Sequence, residues 1–126
     1  MKNLLGRIGW IAALGLAYKP DVDDLRESPA AEVVHLLQKE GAVVKAFEPF
    51  KPEGLPGMVC VPTLEDAVKD AEGIVLLVNH TQFRELTPGK LRAMTPAKVL
   101  VDTVNAWAGQ DWNRTGFQYH RLGVNK

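Results

Sequence analysis

Ile8-Gly9-Trp10-Ile11-Ala12-Ala13-Leu14 is apolar throughout, and Ser28-Pro29-Ala30-Ala31-Glu32-Val33-Val34-His35-Leu36-Leu37 resumes the apolar pattern at helical spacing. The first stretch shows no alternation, as a strand covered on both faces requires. The second opens on an N-cap serine with proline at the first helical position. It repeats Ala30, Val33, Val34 and Leu37 on one face and stops at Gly41. A buried strand feeding a helix begins a parallel α/β unit.

Working outward, Ala42-Val43-Val44-Lys45-Ala46-Phe47 reads as the second strand, and Pro49, Pro52, Gly54, Pro56 and Gly57 make the following segment irregular. Val59-Cys60-Val61 is a short strand. Thr63 then caps a helix predicted to run through Ala71, with Asp66 placed for a capping box. Gly73 is expected to reset the chain into Ile74-Val75-Leu76-Leu77-Val78, the best candidate for a central strand. Two short helical pieces follow, from Thr81 and from Pro88, then a strand at Val99-Leu100-Val101 and an edge strand at Phe117-Gln118-Tyr119-His120-Arg121-Leu122. The predicted fold class is α/β, a Rossmann-like, doubly wound, mainly parallel sheet of about five to six strands in a single domain.

At 126 residues the chain is long enough to bury one core and too short for two such lobes. Fifteen basic and fifteen acidic residues cancel, which argues against a broad electrostatic grip on nucleic acid or an anionic membrane. A single cysteine excludes an internal disulfide framework and fits a reducing, cytoplasmic setting. The apolar stretch near the start is broken by Gly9 and Gly15, so it reads as a strand and not as a signal peptide.

Function is expected in the loop between the first strand and helix, Gly15-Leu16-Ala17-Tyr18-Lys19-Pro20-Asp21-Val22-Asp23-Asp24-Leu25-Arg26-Glu27. Ligands of α/β sheets bind beyond the carboxyl ends of the strands, and this loop delivers a dense set of donors and acceptors there. The run "GLAYKPDVDDLRESPA" resembles the opening of the C-terminal, UDP-binding domain of the UDP-glucose/GDP-mannose dehydrogenase family. Val75-Leu76-Leu77-Val78-Asn79-His80-Thr81-Gln82-Phe83 is similar to a second family segment, and Val101-Asp102-Thr103-Val104-Asn105-Ala106-Trp107 loosely resembles a third. Together they resemble the UDP-N-acetyl-mannosamine dehydrogenase branch.

The resemblance implies an enzyme that oxidises a sugar C6 alcohol of a UDP-sugar to a uronic acid with NAD. Its N-terminal NAD domain and central helix would be absent from residues 1–126, so the chain alone is expected to be inactive and to hold no catalytic residue. Tyr18 and Lys19 are the implied UDP contacts, and Arg26 the implied contact to NAD held mainly by the missing domain. On chemistry alone, Tyr18 and Lys19 serve equally as a stacking ring with an ammonium, or as a surface tyrosine and a solvated lysine before a turn. Arg26 suits a bidentate anion contact or a local ion pair with Asp23, Asp24 or Glu27.

Asp21, Asp23, Asp24 and Glu27 lack the glycine and terminal glutamate of a calcium loop, and read as charge balance for Arg26 and Lys19 and as turn formers; no metal is expected. Gly15 invites a G-x-G-x-x-G reading, but Ala17 and Pro20 occupy the other glycine positions, so NAD is not expected as the primary ligand, and Glu48 only mimics a ribose-binding carboxylate. Cys60, between valines, reads as a buried and inert thiol. Among the histidines only His80 falls at the ligand edge, where it and Asn79 either line a cleft or begin the next helix.

Val104 departs from the arginine or lysine that the resemblance implies there: Arg114 or Arg121 substitutes, or binding is weakened, or the chain has drifted from function. The lead Met1-Lys2-Asn3-Leu4-Leu5 fits a cloned domain or a truncated reading frame equally. The alternative function is an assembly module, a homodimer or a docked domain, with Leu4, Leu5, Trp10, Trp107 or Trp112 marking its surface.

Overall fold

The computed structural model describes residues 10–26 and 28–121. The strands are β1 (Trp10–Leu14), β2 (Val44–Phe47), β3 (Val59–Cys60), β4 (Ala71–Leu76), β5 (Val99–Asp102) and β6 (Gln118–Arg121). The helices are α1 (Pro29–Lys39), α2 (Leu64–Val68), α3 (Thr81–Arg84) and α4 (Pro88–Met94), with a 3-10 turn at Trp112–Thr115. One six-stranded sheet runs in the order β3-β2-β1-β4-β5-β6, and every neighbouring pair is parallel.

Alternation along the central strands divides the core in two. Ala12, Leu14, Ile74 and Leu76 point to the face covered by Leu64 and Val68 of α2, Phe83 of α3 and Leu91 of α4. Ala13, Ala46, Val75 and Leu77 point to the other, where Ala30 and Val34 of α1 cover them. The central strands are therefore covered on both faces, which is why β1 and β4 read as apolar runs, whereas the edge strand β6 is polar and largely exposed.

Helix α1 starts where its sequence says it should. The Ser28 hydroxyl accepts from the Ala31 N–H at 3.3 Å with Pro29 in the first turn. Gly41, at φ 96°, turns the chain just past the helix. Thr63 caps α2 in the same way, accepting from the Asp66 N–H at 3.1 Å.

The boundary near Gly73 differs from expectation. Helix α2 ends at Val68, and β4 has begun by Ala71. Gly73 lies inside β4, opposite Ile11 on one side and Val99 on the other, just past an irregularity in the β1–β4 register. A strand interior tolerates glycine beside such a bulge.

Trp107 and Trp112 do not mark an exposed surface. Both are fully buried, their rings 4.8 Å apart, and their indole N–H groups donate to the carbonyls of Phe83 and Trp107 at 2.8 Å. Trp10 is half-buried and donates to the Ala67 carbonyl, with the Lys45 ammonium over its ring. Leu4 and Leu5 lie outside the described residues.

Candidate functional site

The strand order reverses between β1 and β4, because β2 and β3 lie to one side of β1 and β5 and β6 lie beyond β4. The loops leaving β1 and β4 must part there, and the opening between them is the crevice where α/β sheets take ligands. A pocket of about 330 Å³ occupies it, lined by Ala17 and Tyr18 after β1, Pro29 and Ala30 of α1, Asn79 after β4, and Val104 after β5. Tyr18 is 53% exposed, so its ring is available at this rim. Lys19 is exposed beside it.

Gly15 permits the close approach on which the crevice depends. It has φ 99°, and a Cβ there would lie 2.6 Å from the Val78 Cβ. The next two residues turn their backbone amides inward. Leu16 and Ala17 both donate to Glu48 Oε1, at 2.8 and 2.9 Å, and Phe50 N–H donates to Oε2 at 3.0 Å. In a dinucleotide fingerprint, amides at this point of the first loop meet a pyrophosphate. Here an internal carboxylate has taken them, so the first loop does not fit the pyrophosphate of NAD.

Glu48 is thus more than a mimic of a ribose-binding residue. It is 1% exposed, and its remaining partner is the fully buried His80, whose Nε2 lies 2.9 Å away. His80 Nδ1 accepts the Asp21 N–H at 2.7 Å, which places the ring proton on Nε2 as donor to Glu48. Burial pushes the Glu48 carboxyl up, but donation from His80 and the amides of Leu16 and Phe50 outweighs it and holds the group below its ordinary value. Sequence reasoning placed His80 at the ligand edge; its ring lies beneath that edge, and Asn79 is the neighbour that lines the pocket.

The charged loop is held to α3 at Asp21 and braced internally at Asp24. Asp21, at φ 62°, accepts from the Thr81 N–H at 2.8 Å and the Thr81 hydroxyl at 2.7 Å. These bonds lower its pKa. Arg26 Nε and Nη2 donate in parallel to Asp24, both at 3.0 Å, and this pairing lowers the Asp24 carboxyl to about 2. Of the two readings of Arg26, the local ion pair is the one formed within this chain.

Asp102, fully buried at the end of β5, organises the third wall. It accepts from the N–H groups of Val104, Ala106 and Trp107 and from the Tyr119 hydroxyl, at 2.8 to 3.1 Å. Arg121 reaches this loop, donating to the Asn105 side chain at 3.1 Å, whereas Arg114 pairs with Asp111 at 2.8 Å. Cys60 is half-buried on β3, and burial pushes its thiol up. His35 and His120 are exposed, on α1 and β6.

No helix among the described residues is long and apolar enough to cross a membrane. UDP-glucose 6-dehydrogenase from Rhizobium meliloti is 33% identical over 117 residues, covering 90% of this chain and 27% of that protein. UDP-N-acetyl-D-mannosamine dehydrogenase from Methanocaldococcus jannaschii is 32% identical over 122 residues, covering 94% of this chain and 28% of that one. The structure of NDP-N-acetyl-D-galactosaminuronic acid dehydrogenase from Methanosarcina mazei aligns with a TM-score of 0.81 at 29% identity, over 94% of this chain and 26% of that one. The chain therefore spans about a quarter of the length of these relatives. Residues 12–109, which include the pocket and the loops that build it, match the model of one family. The chain belongs to the UDP-glucose/GDP-mannose dehydrogenase family, as its UDP-binding domain.

Proposed function

We propose that this domain holds the uridine diphosphate part of a UDP-sugar at the crevice between β1 and β4, in an enzyme that oxidises the sugar C6 alcohol to a uronic acid. The observation that carries the reading is the pocket at the point of strand reversal, with Tyr18 on its wall and Lys19 beside it. An apolar slot suits a flat base, the Tyr18 ring offers a stacking partner, and the Lys19 ammonium offers a charge for the diphosphate. Gripping a remote part of the substrate orients its sugar for reaction elsewhere.

In this reading the oxidant NAD and the catalytic groups belong to polypeptide outside these residues, an NAD domain and a central helix. Glu48 supports that division, since it already satisfies the Leu16 and Ala17 amides that a dinucleotide would need. Arg26 is the candidate contact from this domain to the cofactor, released from Asp24 when the two lobes meet. The setting is cytoplasmic and the substrate class is a UDP-sugar, the two relatives above being named for different sugars.

Calorimetry on the 126-residue chain tests this. UDP and UDP-glucose are expected to bind more tightly than NAD, and Lys19→Ala to weaken UDP about tenfold or more, the effect of losing a charge-assisted contact. Tighter binding of NAD than of UDP, or no binding of any uridine nucleotide, would overturn the reading.

A further inference from the structure

The contacts of His80 and Glu48 converge on a single loop from both ends. Upstream, Glu48 Oε1 takes the N–H groups of Leu16 and Ala17. Downstream, His80 Nδ1 takes the N–H of Asp21. Between these anchors stand Tyr18, Lys19 and Pro20, whose side chains are exposed. The pinned residue is itself an unusual one, a non-glycine at φ 62°. L-residues enter this region only where surrounding contacts hold them.

The chain of bonds has a fixed direction. A carboxylate only accepts, so His80 Nε2 must donate to Glu48; the Asp21 amide only donates, so Nδ1 must accept. A donor in place of Glu48 would leave two donors face to face in either tautomer of the ring, at Nε2 against the new group or at Nδ1 against the Asp21 amide. Phe50 and Phe83 pack against the imidazole at 4.9 and 5.6 Å between ring centres, and the His80 side chain is fully buried.

We propose that Glu48 and His80 are positioning residues for the ligand loop. They touch no ligand, and their donor–acceptor chain fixes the turn that presents Tyr18 and Lys19. The inference rests on the reading of that loop as the nucleotide contact. It adds two residues that act through the backbone from beneath the pocket.

The test uses the full chain and UDP as probe. Nitrogen NMR of the His80 ring should show the proton on Nε2 and a bare Nδ1. In the ligand-free protein, His80→Leu should speed exchange of the Asp21 amide by about tenfold or more and weaken UDP by a similar factor. His80→Gln keeps one donor and one acceptor, and should return both quantities to within about threefold of the original. A ring protonated on Nδ1 overturns the proposal without any variant. So does His80→Leu with unchanged exchange and UDP affinity, or His80→Gln that is no better than His80→Leu. A chain with the expected exchange pattern that takes no UDP refutes the nucleotide reading instead, and leaves the pinning of the loop standing.

Discussion

His80 Nε2 lies 2.9 Å from the carboxylate of Glu48, and both side chains are shut off from solvent. The two residues are 32 positions apart in sequence and meet because β2 and β4 flank β1 in the sheet. Beneath the loop that leaves β1, where His80 Nδ1 takes the Asp21 amide, the contact also holds an ionisable acceptor, the Glu48 carboxylate.

That group makes stability depend on acid. Because its partners hold the Glu48 carboxyl below its ordinary 4.5, the unfolded chain binds the proton more tightly than the folded one. The stabilisation is complete above the ordinary value and is lost as pH falls through it toward the folded value. Denaturant melts taken at decreasing pH should show Glu48→Gln about 2–4 kcal/mol less stable than the original protein at neutral pH, with the gap closing below about pH 4. A gap that persists unchanged into acid would contradict this.

Gly15→Ala should lower stability by about 2–4 kcal/mol, combining a left-handed backbone with a methyl pressed into Val78. Urea unfolding measures it. Gly41→Ala is the control: it shares the positive φ, but a Cβ there meets nothing within 4 Å, so its loss should be about 1–2 kcal/mol.

Asp102→Ala strands three backbone donors and the Tyr119 hydroxyl, and should cost about 3–5 kcal/mol. Tyr119→Phe removes only one of these bonds and should cost about 1 kcal/mol. Burial, and then the neighbouring Asp102, raise the Tyr119 phenol above its ordinary 10.0. Its ultraviolet ionisation step should move back toward that value in Asp102→Asn, and an unmoved step would count against the contact.

Tyr18→Ala separates binding from folding. The ring is half exposed at the pocket rim, so thermal and urea midpoints should stay within about 0.5 kcal/mol of the original. The UDP affinity should fall about tenfold, the scale of a base–aromatic stacking contact. Calorimetry beside a melt checks both halves, and a large loss of stability would show the ring to be a core element.

Local signals in the sequence carried most of the fold. Ser28-Pro29 and Gly41 bracket α1 because capping and left-handed turns are decided within a few residues. The apolar runs of β1 and β4 announce a sheet covered on both faces, and strand–helix alternation announces parallel pairing. Gly73 misled because glycine signals a break only where nothing else holds the backbone, and here β1 and β5 hold it from both sides.

The site was legible at its rim and hidden at its base. Tyr18 and Asn79 stand at strand ends, which patterning locates. Glu48 and His80 gave no local sign of each other, since their contact exists only once the strand order is known. A search for polar residues following the two strands that neighbour β1 would have paired them. Trp107 and Trp112 resembled surface aromatics for a similar reason: the carbonyl that accepts the Trp107 N–H belongs to Phe83 of α3, distant in sequence, and the one that accepts the Trp112 N–H is that of Trp107 itself, so their burial exists only once the chain after β5 has folded back.

Asp21 joins the two walls of the crevice. Its amide is fastened to His80, and its carboxylate to the first residue of α3. The opening is consequently cross-braced by bonds internal to the chain, so under the proposed reading less conformational freedom remains to be surrendered on binding. Affinity in such a seat is governed by escape more than by capture, and changes at its walls should register mainly in how long a guest stays.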